Sequence, residues 1–441
     1  MPVRISVLGT GYLGATSAAC LAACGHHVVG IDTDPERVAL LQSGRAPFHE
    51  PGLDELLSRG VDSGRLTFHT DYAAAARDCN VHFVCVGTPQ SAGSSAADLS
   101  ALWAAVSSLG PLLDRPCLVV GKSTVPVGTA AHVRDRLRCL APAGSAVGVA
   151  WNPEFLREGH AVEDSLRPDR LVFGAETNEA DQVLRDVYAP LLAAGVPSVH
   201  TDLATAELAK VSANAMLATR ISLVNLLAEV CEAANADVAD LTTILGLDER
   251  IGSLFMTPGV GFGGGCLPKD TRAFVARAEE LGLGEPAGLL REVDAINMRQ
   301  RARTVDLAVS LLGGRASGFA VAVLGAAFKA GSDDVRDSPA LDVAATLGAR
   351  GAVVRVFDPE ARDNARRVHP ELSYPDDIES ACRDVDLVLL LTDWPEFAGI
   401  DPVSLAEVVG TARIIDGRLA LDPDKWRAAG WDFHALGRSA R

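Results

Sequence analysis

The sequence predicts two α/β domains, each a doubly wound parallel sheet, joined by one long central helix. Three observations carry this reading. Short apolar runs alternate with helical patterns up to about residue 200. A stretch rich in Ala and Leu, without Pro or Gly, fills 201–235. Near residue 318 the strand–loop–helix–strand pattern of the N-terminus returns. Alternation of this kind implies parallel strands joined by helical crossovers.

The elements follow in order. "RISVLGTGYLGATSAACLAACGHHVVGIDTD" reads as strand, Gly-rich turn, helix and strand. The turn is a GxGxxG pattern, with Gly9, Gly11 and Gly14 around Tyr12 and Leu13. Such glycines permit a tight turn, backbone approach to a pyrophosphate and close helix–strand packing, so the unit is Rossmann-like. The phosphates are expected on the helix N-terminus. Asp32, at the end of the next strand, can accept from a ribose 2′-hydroxyl and so favours NAD over NADP. Arg37 lies close enough to suggest a 2′-phosphate, but the carboxylate would repel one. Further strands are expected in "VHFVCVGTP", "CLVVGKSTVPVGT", "VGVAWNPEF", "RLVFG" and "SVHTD". The long helix is expected to start at an Asp cap and end near Asn235, spanning roughly 50 Å at 1.5 Å per residue. In the second α/β domain, "VRVFDPEA" stands where "VVGIDTDPE" stands in the first. Its first turn lacks GxGxxG and carries Lys329, which suggests a related fold with a different ligand. "LVLLLTDWPEF" and "ARIIDGR" supply more strands.

Bulk properties exclude some functions. A formal net charge of −17 argues against a general nucleic-acid or anionic-membrane binder. The N-terminus enters a strand pattern at once, leaving no room for a signal peptide, and no uncharged apolar run approaches ~20 residues. A cytoplasmic protein is the expectation. Nine cysteines without CxxC spacing disfavour a disulfide framework and a metal site. Cys20, Cys24, Cys79 and Cys85 read as small core residues.

"GVGFGGGCLPKD", residues 259–270, is the most pointed stretch. Glycines before Cys266 allow positive φ and leave space for a substrate on the backbone. Lys269 would help to hold a thiolate, and Asp270 could handle a proton. A cysteine in a flexible turn reads equally well from this loop alone.

Together with "GTGYLG", "PFHEPGLDELL", "CVGTP", "GKSTVPVGT", "NPEFLREG", "ELAKVSANAMLA", "RIG", "AFKAGSDDVRDSPA", "FDP" and "LTDWPEF", this loop resembles the UDP-glucose/GDP-mannose dehydrogenase family almost end to end. The resemblance implies oxidation of a primary alcohol on a nucleotide sugar, twice, to the carboxylate, with NAD. It implies that Cys266 is the nucleophile, through a thiohemiacetal and a thioester that water hydrolyses. Lys210 and Asn214, four apart on the long helix, share a face and would stabilise an oxyanion. Asp270 would act with a water as base. Thr124 and Glu154 would hold or activate the hydrolytic water. Thr88, Thr124, Glu158, Lys269 and Arg336 match positions that contact NAD. Glu154, Phe155, Leu156, Arg157, Glu158, Phe255, Gly259, Gly263 and Lys329 match substrate positions, and Arg250 matches an arginine that reaches a neighbouring subunit's substrate.

The implied organisation is a NAD-binding domain over 1–200, a central helical domain with the thiol loop over 201–300, and a UDP-sugar-binding domain over 301–441. A homodimer or higher homo-oligomer is expected. UDP-glucose is the expected substrate, because "NPEFLREG" and "LTDWPEF" resemble that branch. GDP-mannose, a UDP-N-acetylhexosamine, or the chemistry of a 6-phosphogluconate-type hydroxyacid dehydrogenase are the alternatives, and a nucleotide-sugar sensor is the non-catalytic one. One departure is visible: Leu419 follows Asp416-Gly417-Arg418 where many bacterial relatives carry Asn.

Overall fold

The computed structural model describes residues 2–438. It divides into two compact units, one ending at Ala213 and one beginning at Asn214.

The first unit holds eight strands: β1 (Arg4–Leu8), β2 (His27–Ile31), β3 (Leu66–His69), β4 (Val81–Val84), β5 (Cys117–Gly121), β6 (Val147–Trp151), β7 (Leu171–Ala175) and β8 (Ser198–Thr201). Their order is β3-β2-β1-β4-β5-β6-β7-β8. The order reverses between β1 and β4, the crevice where doubly wound sheets bind ligands. Successive residues of β5 feed two different cores. Leu118 and Val120 pack on one face of the sheet and Val119 on the other. That is the signature of a sheet covered by helices on both sides.

One pair departs from the parallel expectation: β6 and β7 run antiparallel. The connection between them contains only the short helix Ala161–Leu166. The chain re-enters the sheet in the opposite sense.

The second unit holds β9 (Ala320–Leu324), β10 (Val353–Phe357), β11 (Leu387–Leu390), β12 (Arg413–Asp416) and β13 (Asp432–Ala435), all parallel, in the order β10-β9-β11-β12-β13. The reversal here lies between β9 and β11.

The long helix is Leu203–Ala234 and carries the chain across the unit boundary. Asp202 caps its start, accepting from the Thr205 N–H at 2.8 Å. Asn235 follows its end at φ +56°, a left-handed stop that Asn tolerates. By length and composition this is the one helix, among the described residues, apolar enough to cross a membrane. One side of it is packed against the protein and carries buried polar groups. Glu207 is 1% exposed and accepts from the Gly128 and Ala130 N–H groups at 2.7 and 2.6 Å, tying the helix to the N-terminus of the helix Thr129–Leu140.

Of the four cysteines expected in the core, Cys20, Cys79 and Cys85 are buried. Cys24 is only half-buried, because it caps the end of its helix rather than lying within it.

Candidate active site

In the first unit, the three glycines of the dinucleotide turn have three different environments. Gly9 sits at φ +84°, and a Cβ there would lie 2.9 Å from Val86. A Cβ on Gly14 would fall 1.8 Å from the Gly9 carbonyl oxygen, so only hydrogen lets helix and strand approach. A Cβ on Gly11 would meet no protein atom within 4 Å. Gly11 precedes the helix Tyr12–Ala23, so this open space faces a helix N-terminus, as a pyrophosphate requires. The residues present thus fit a bound dinucleotide.

Asp32 lies one residue past β2 and is 7% exposed. It accepts from the Thr10 N–H at 2.8 Å and from Arg37 at 3.1 Å. Burial works to raise its pKa, but the Thr10 and Asp34 amides and the Arg37 guanidinium outweigh burial and hold the carboxyl below its usual value. Arg37 is therefore neutralised by the residue that would repel a 2′-phosphate. Wild-type protein should prefer NAD over NADP by about 100-fold or more in kcat/KM. Asp32→Ala, which removes the nearer of the two carboxylates paired with Arg37, should narrow that preference by about tenfold or more. Initial rates with both cofactors check this, and equal efficiency in the wild type would refute it.

Thr88, beyond β4, donates from Oγ1 to the Thr124 carbonyl at 2.7 Å, so these two predicted residues lie together. Glu154 and Lys210 also meet. The Lys210 ammonium lies 3.1 Å from Glu154 Oε1, while Glu154 Oε2 accepts from the Leu156 N–H at 2.6 Å. Lys210 is 4% exposed, so the pair is held out of bulk water. Phe155 carries the Arg170 guanidinium over its ring at 3.8 Å. Arg157 is exposed and held by Asp164 through two side-chain bonds of 2.9 and 2.6 Å.

Glu50 escaped the sequence reading. It is 7% exposed, accepts from the Tyr12 hydroxyl, and accepts from the Gly159 and Ala161 N–H groups at 2.7 Å each. It thereby ties the cofactor helix to the loop that follows Glu154 and Glu158. Burial, followed by the Glu50 contact, pushes the Tyr12 phenol far above its ordinary pKa. Only the "HEP" punctuation in the sequence hinted at a buried acid.

In the second unit, Cys266 is the residue before the helix Leu267–Glu280 and is half-buried. Asp270, one turn further on, is 2% exposed. Its carboxylate accepts from Asn214 Nδ2 at 2.6 Å and pairs with the Lys269 ammonium. Four of the predicted residues therefore lie on two adjoining helices and the start of one of them.

The glycines before Cys266 require a correction. The space that a side chain would take at them is filled by protein, so what they can offer a substrate is backbone alone. A Cβ on Gly259 would lie 2.7 Å from the Gly417 carbonyl, one on Gly263 2.3 Å from that of Asp337, and one on Gly265 2.2 Å from the Arg336 guanidinium. Gly264, at φ +83°, abuts the Phe328 ring. The loop is thin because the β9–β11 side of the unit packs flush against it. Arg418 joins this packing through the carbonyls of Gly261, Phe328 and Leu391. Leu419, at φ +52°, packs against the cluster of Ala228, Cys231 and Val238, so position 419 is a packing position in this chain.

Phe255 adopts φ +60° and is 42% exposed, and Arg250 is 89% exposed beside Asp248. Lys329 lies with its ammonium 5.7 Å from the Phe328 ring centre, and the Arg336 side chain pairs with Asp334 at 2.6 Å.

The echo between the two sheets is real and its divergence is chemical. Asp358 lies one residue past β10, as Asp32 lies past β2. Asp358 accepts from the N–H groups of Ala326, Ala327, Glu360 and Ala361 and from Trp394 Nε1. No lone pair is left for a ribose, so this turn is braced internally.

The glycine turn, with Asp32 just past the next strand, defines the class: a NAD-dependent dehydrogenase. Comparison with known proteins takes this further. The models of the UDP-glucose/GDP-mannose dehydrogenase family match in three parts: its NAD-binding domain over 3–192, central domain over 204–299 and UDP-binding domain over 322–423. The chain is 38% identical to the UDP-glucose 6-dehydrogenase TuaD of Bacillus subtilis, over 99% of this chain and 94% of that one. It is 39% identical to a UDP-glucose 6-dehydrogenase of Rhizobium meliloti, over 99% and 100%. A solved UDP-glucose dehydrogenase from Pyrobaculum islandicum superimposes with a TM-score of 0.92 at 37% identity, covering 100% of this chain and 98% of that one. The chain belongs to the UDP-glucose/GDP-mannose dehydrogenase family.

Proposed function

We propose that this protein oxidises the C6 alcohol of UDP-glucose twice, to UDP-glucuronate, with Cys266 as nucleophile. The observation that carries the reading is the set around that thiol: Asp270 buried, bonded to Asn214 and paired with Lys269, one helical turn from Cys266. The names of the full-length relatives support UDP-glucose over other nucleotide sugars.

NAD, when bound, supplies the hydride acceptor for both oxidations. In the first, Asp270 receives the alcohol proton through a water, while Asn214 and Lys210 steady the oxygen as charge gathers on it. The Cys266 sulfur then adds to the aldehyde carbon. The adduct again has a carbon–hydrogen bond that can be oxidised, and it keeps the sugar in place. Its oxidation leaves a thioester. Glu154, held by Lys210, activates the water that cleaves it, with Thr124 orienting that water. Phe155, Leu156, Arg157, Glu158, Phe255, Gly259, Gly263 and Lys329 are assigned to the nucleotide sugar. Thr88, Glu158, Lys269 and Arg336 are assigned to NAD. The assigned domains are 1–200 for cofactor, 201–300 for the thiol loop and 301–441 for UDP, and the assigned compartment is the cytoplasm.

The test is stoichiometry. Two NADH per UDP-glucose consumed are expected. One NADH would indicate a simple alcohol dehydrogenase, and none a binding protein.

A homodimer goes with this reading. Met216, Leu223 and Val230, at seven-residue intervals on the long helix, are 73%, 52% and 55% exposed. Such a stripe is suited to a second copy of the same helix. Light scattering should give a dimer or larger, and Leu223→Glu with Val230→Glu should shift it to monomer. A wild type that is monomeric at micromolar concentration would end the idea.

A further inference from the structure

The loop that delivers Cys266 is held by a residue that no sequence motif marked. Asn297, on the helix Gly288–Leu311, is 0% exposed. Its side-chain amide grips both backbone groups of Phe262: Oδ1 accepts from the Phe262 N–H at 2.7 Å, and Nδ2 donates to the Phe262 carbonyl at 3.0 Å. A side chain thus plays the part of a neighbouring β-strand for one residue of an otherwise irregular loop. One turn further along, Arg301 donates to the same carbonyl at 3.1 Å. The fit leaves no slack. Gly261 sits at φ +100°, and a Cβ there would lie 2.6 Å from Asn297 Oδ1. Closer to the thiol, the Gly264 N–H donates to the Arg336 carbonyl at 2.8 Å.

We infer that Asn297 is the positioning residue of the thiol loop, setting where the Cys266 sulfur stands without itself touching sugar or cofactor. The inference rests on the reading of Cys266 as nucleophile. The physical argument is one of order. A run of glycines has more backbone freedom than any other, so a loop of this composition wanders unless other groups hold it. A nucleophile displaced by about 1 Å can lose about a hundredfold in rate. Asn297 supplies two of the few hydrogen bonds that fix the loop, at a point four residues from the sulfur.

The role predicts a split within the reaction. The first oxidation does not use sulfur, whereas addition to the aldehyde does. Asn297→Ala should retain NAD affinity within twofold and the first NADH of a single turnover within about threefold of wild type. Its steady-state kcat should fall by about twentyfold or more. Asn297→Asp provides the second variant. It keeps the volume and the acceptor for the Phe262 N–H, but sets an oxygen against the Phe262 carbonyl, and it should share the defect. Hydrogen–deuterium exchange on the substrate-free variants supplies an independent reading. Amides of 260–266 should lose protection by about tenfold, with the β9–β13 amides unchanged.

Wild-type kcat together with wild-type protection of 260–266 in Asn297→Asp would overturn the inference. Equal loss of the first and second NADH, or loss of protection throughout the second unit, would make Asn297 a general fold residue and overturn it as well. Failure of the wild type to reduce NAD with UDP-glucose would instead count against the proposed function, because the exchange measurement needs no substrate.

Discussion

Cys266→Ser should stop the reaction part-way. In a single turnover the variant should form a limited amount of NADH and then stall, while NAD and UDP-glucose still bind. The substitution keeps a small polar side chain at the start of the helix Leu267–Glu280. It replaces a thiol, with an ordinary pKa of about 8.5, by a hydroxyl that is hardly ionised at neutral pH and is a far weaker nucleophile. The first oxidation needs no sulfur, so it proceeds. The second depends on addition to the aldehyde and falters. Any serine ester that forms hydrolyses more slowly than the thioester would. Sugar should therefore be found as aldehyde or as a covalent ester, visible as added mass on the intact protein. Steady turnover to UDP-glucuronate at the wild-type rate would show that Cys266 is not the nucleophile.

Removing the donors on the long helix should be nearly as damaging. Asn214→Ala deprives the 2%-exposed Asp270 carboxylate of a 2.6 Å bond, and kcat should fall by about 10²-fold or more, the usual scale for a lost oxyanion donor. Lys210→Met should do the same and add a stability cost. It takes the ammonium from the Glu154 carboxylate, 12% exposed, which keeps its bond from the Leu156 N–H. Breaking a buried pair from one side costs about 3–5 kcal/mol. The double variant Lys210→Met with Glu154→Gln removes both charges. It should recover much of the melting temperature and none of the activity. Thermal melts and initial rates across the three variants separate the roles. Full turnover in Asn214→Ala, or activity that returns along with stability in the double variant, would make this helix face structural only.

Much of the fold was legible because its signals are local. The first glycine turn, the apolar runs of β1, β2 and β4 to β12, and the Asp cap and Asn stop of the long helix are all written within a few residues. β3 and β13 were missed. Each alternates buried with more exposed residues and so lacks the continuous apolar run that marks β4 or β11: in β3, Leu66 and Phe68 are buried while Thr67 and His69 face water.

The candidate reactive groups were also legible, since a thiol, a lysine, an amide and two carboxylates at family spacing mark themselves. By itself, then, the sequence determined the two α/β sheets, the helix between them and the NAD-type turn, and it marked Cys266 as the candidate nucleophile. Only the tertiary structure decided what surrounds them. It turned β7 against β6, saturated Asp358 while leaving Asp32 to be shared with Arg37, filled the space beside the thiol-loop glycines with protein, and placed Glu50 and Asn297 as clamps on functional loops. The physical reason is range. Helices, turns and strands are specified by neighbours along the chain. A buried hydrogen bond such as that from Asn297 to Phe262 joins residues thirty-five positions apart, and exists only once packing has brought them together and excluded the water that would otherwise compete.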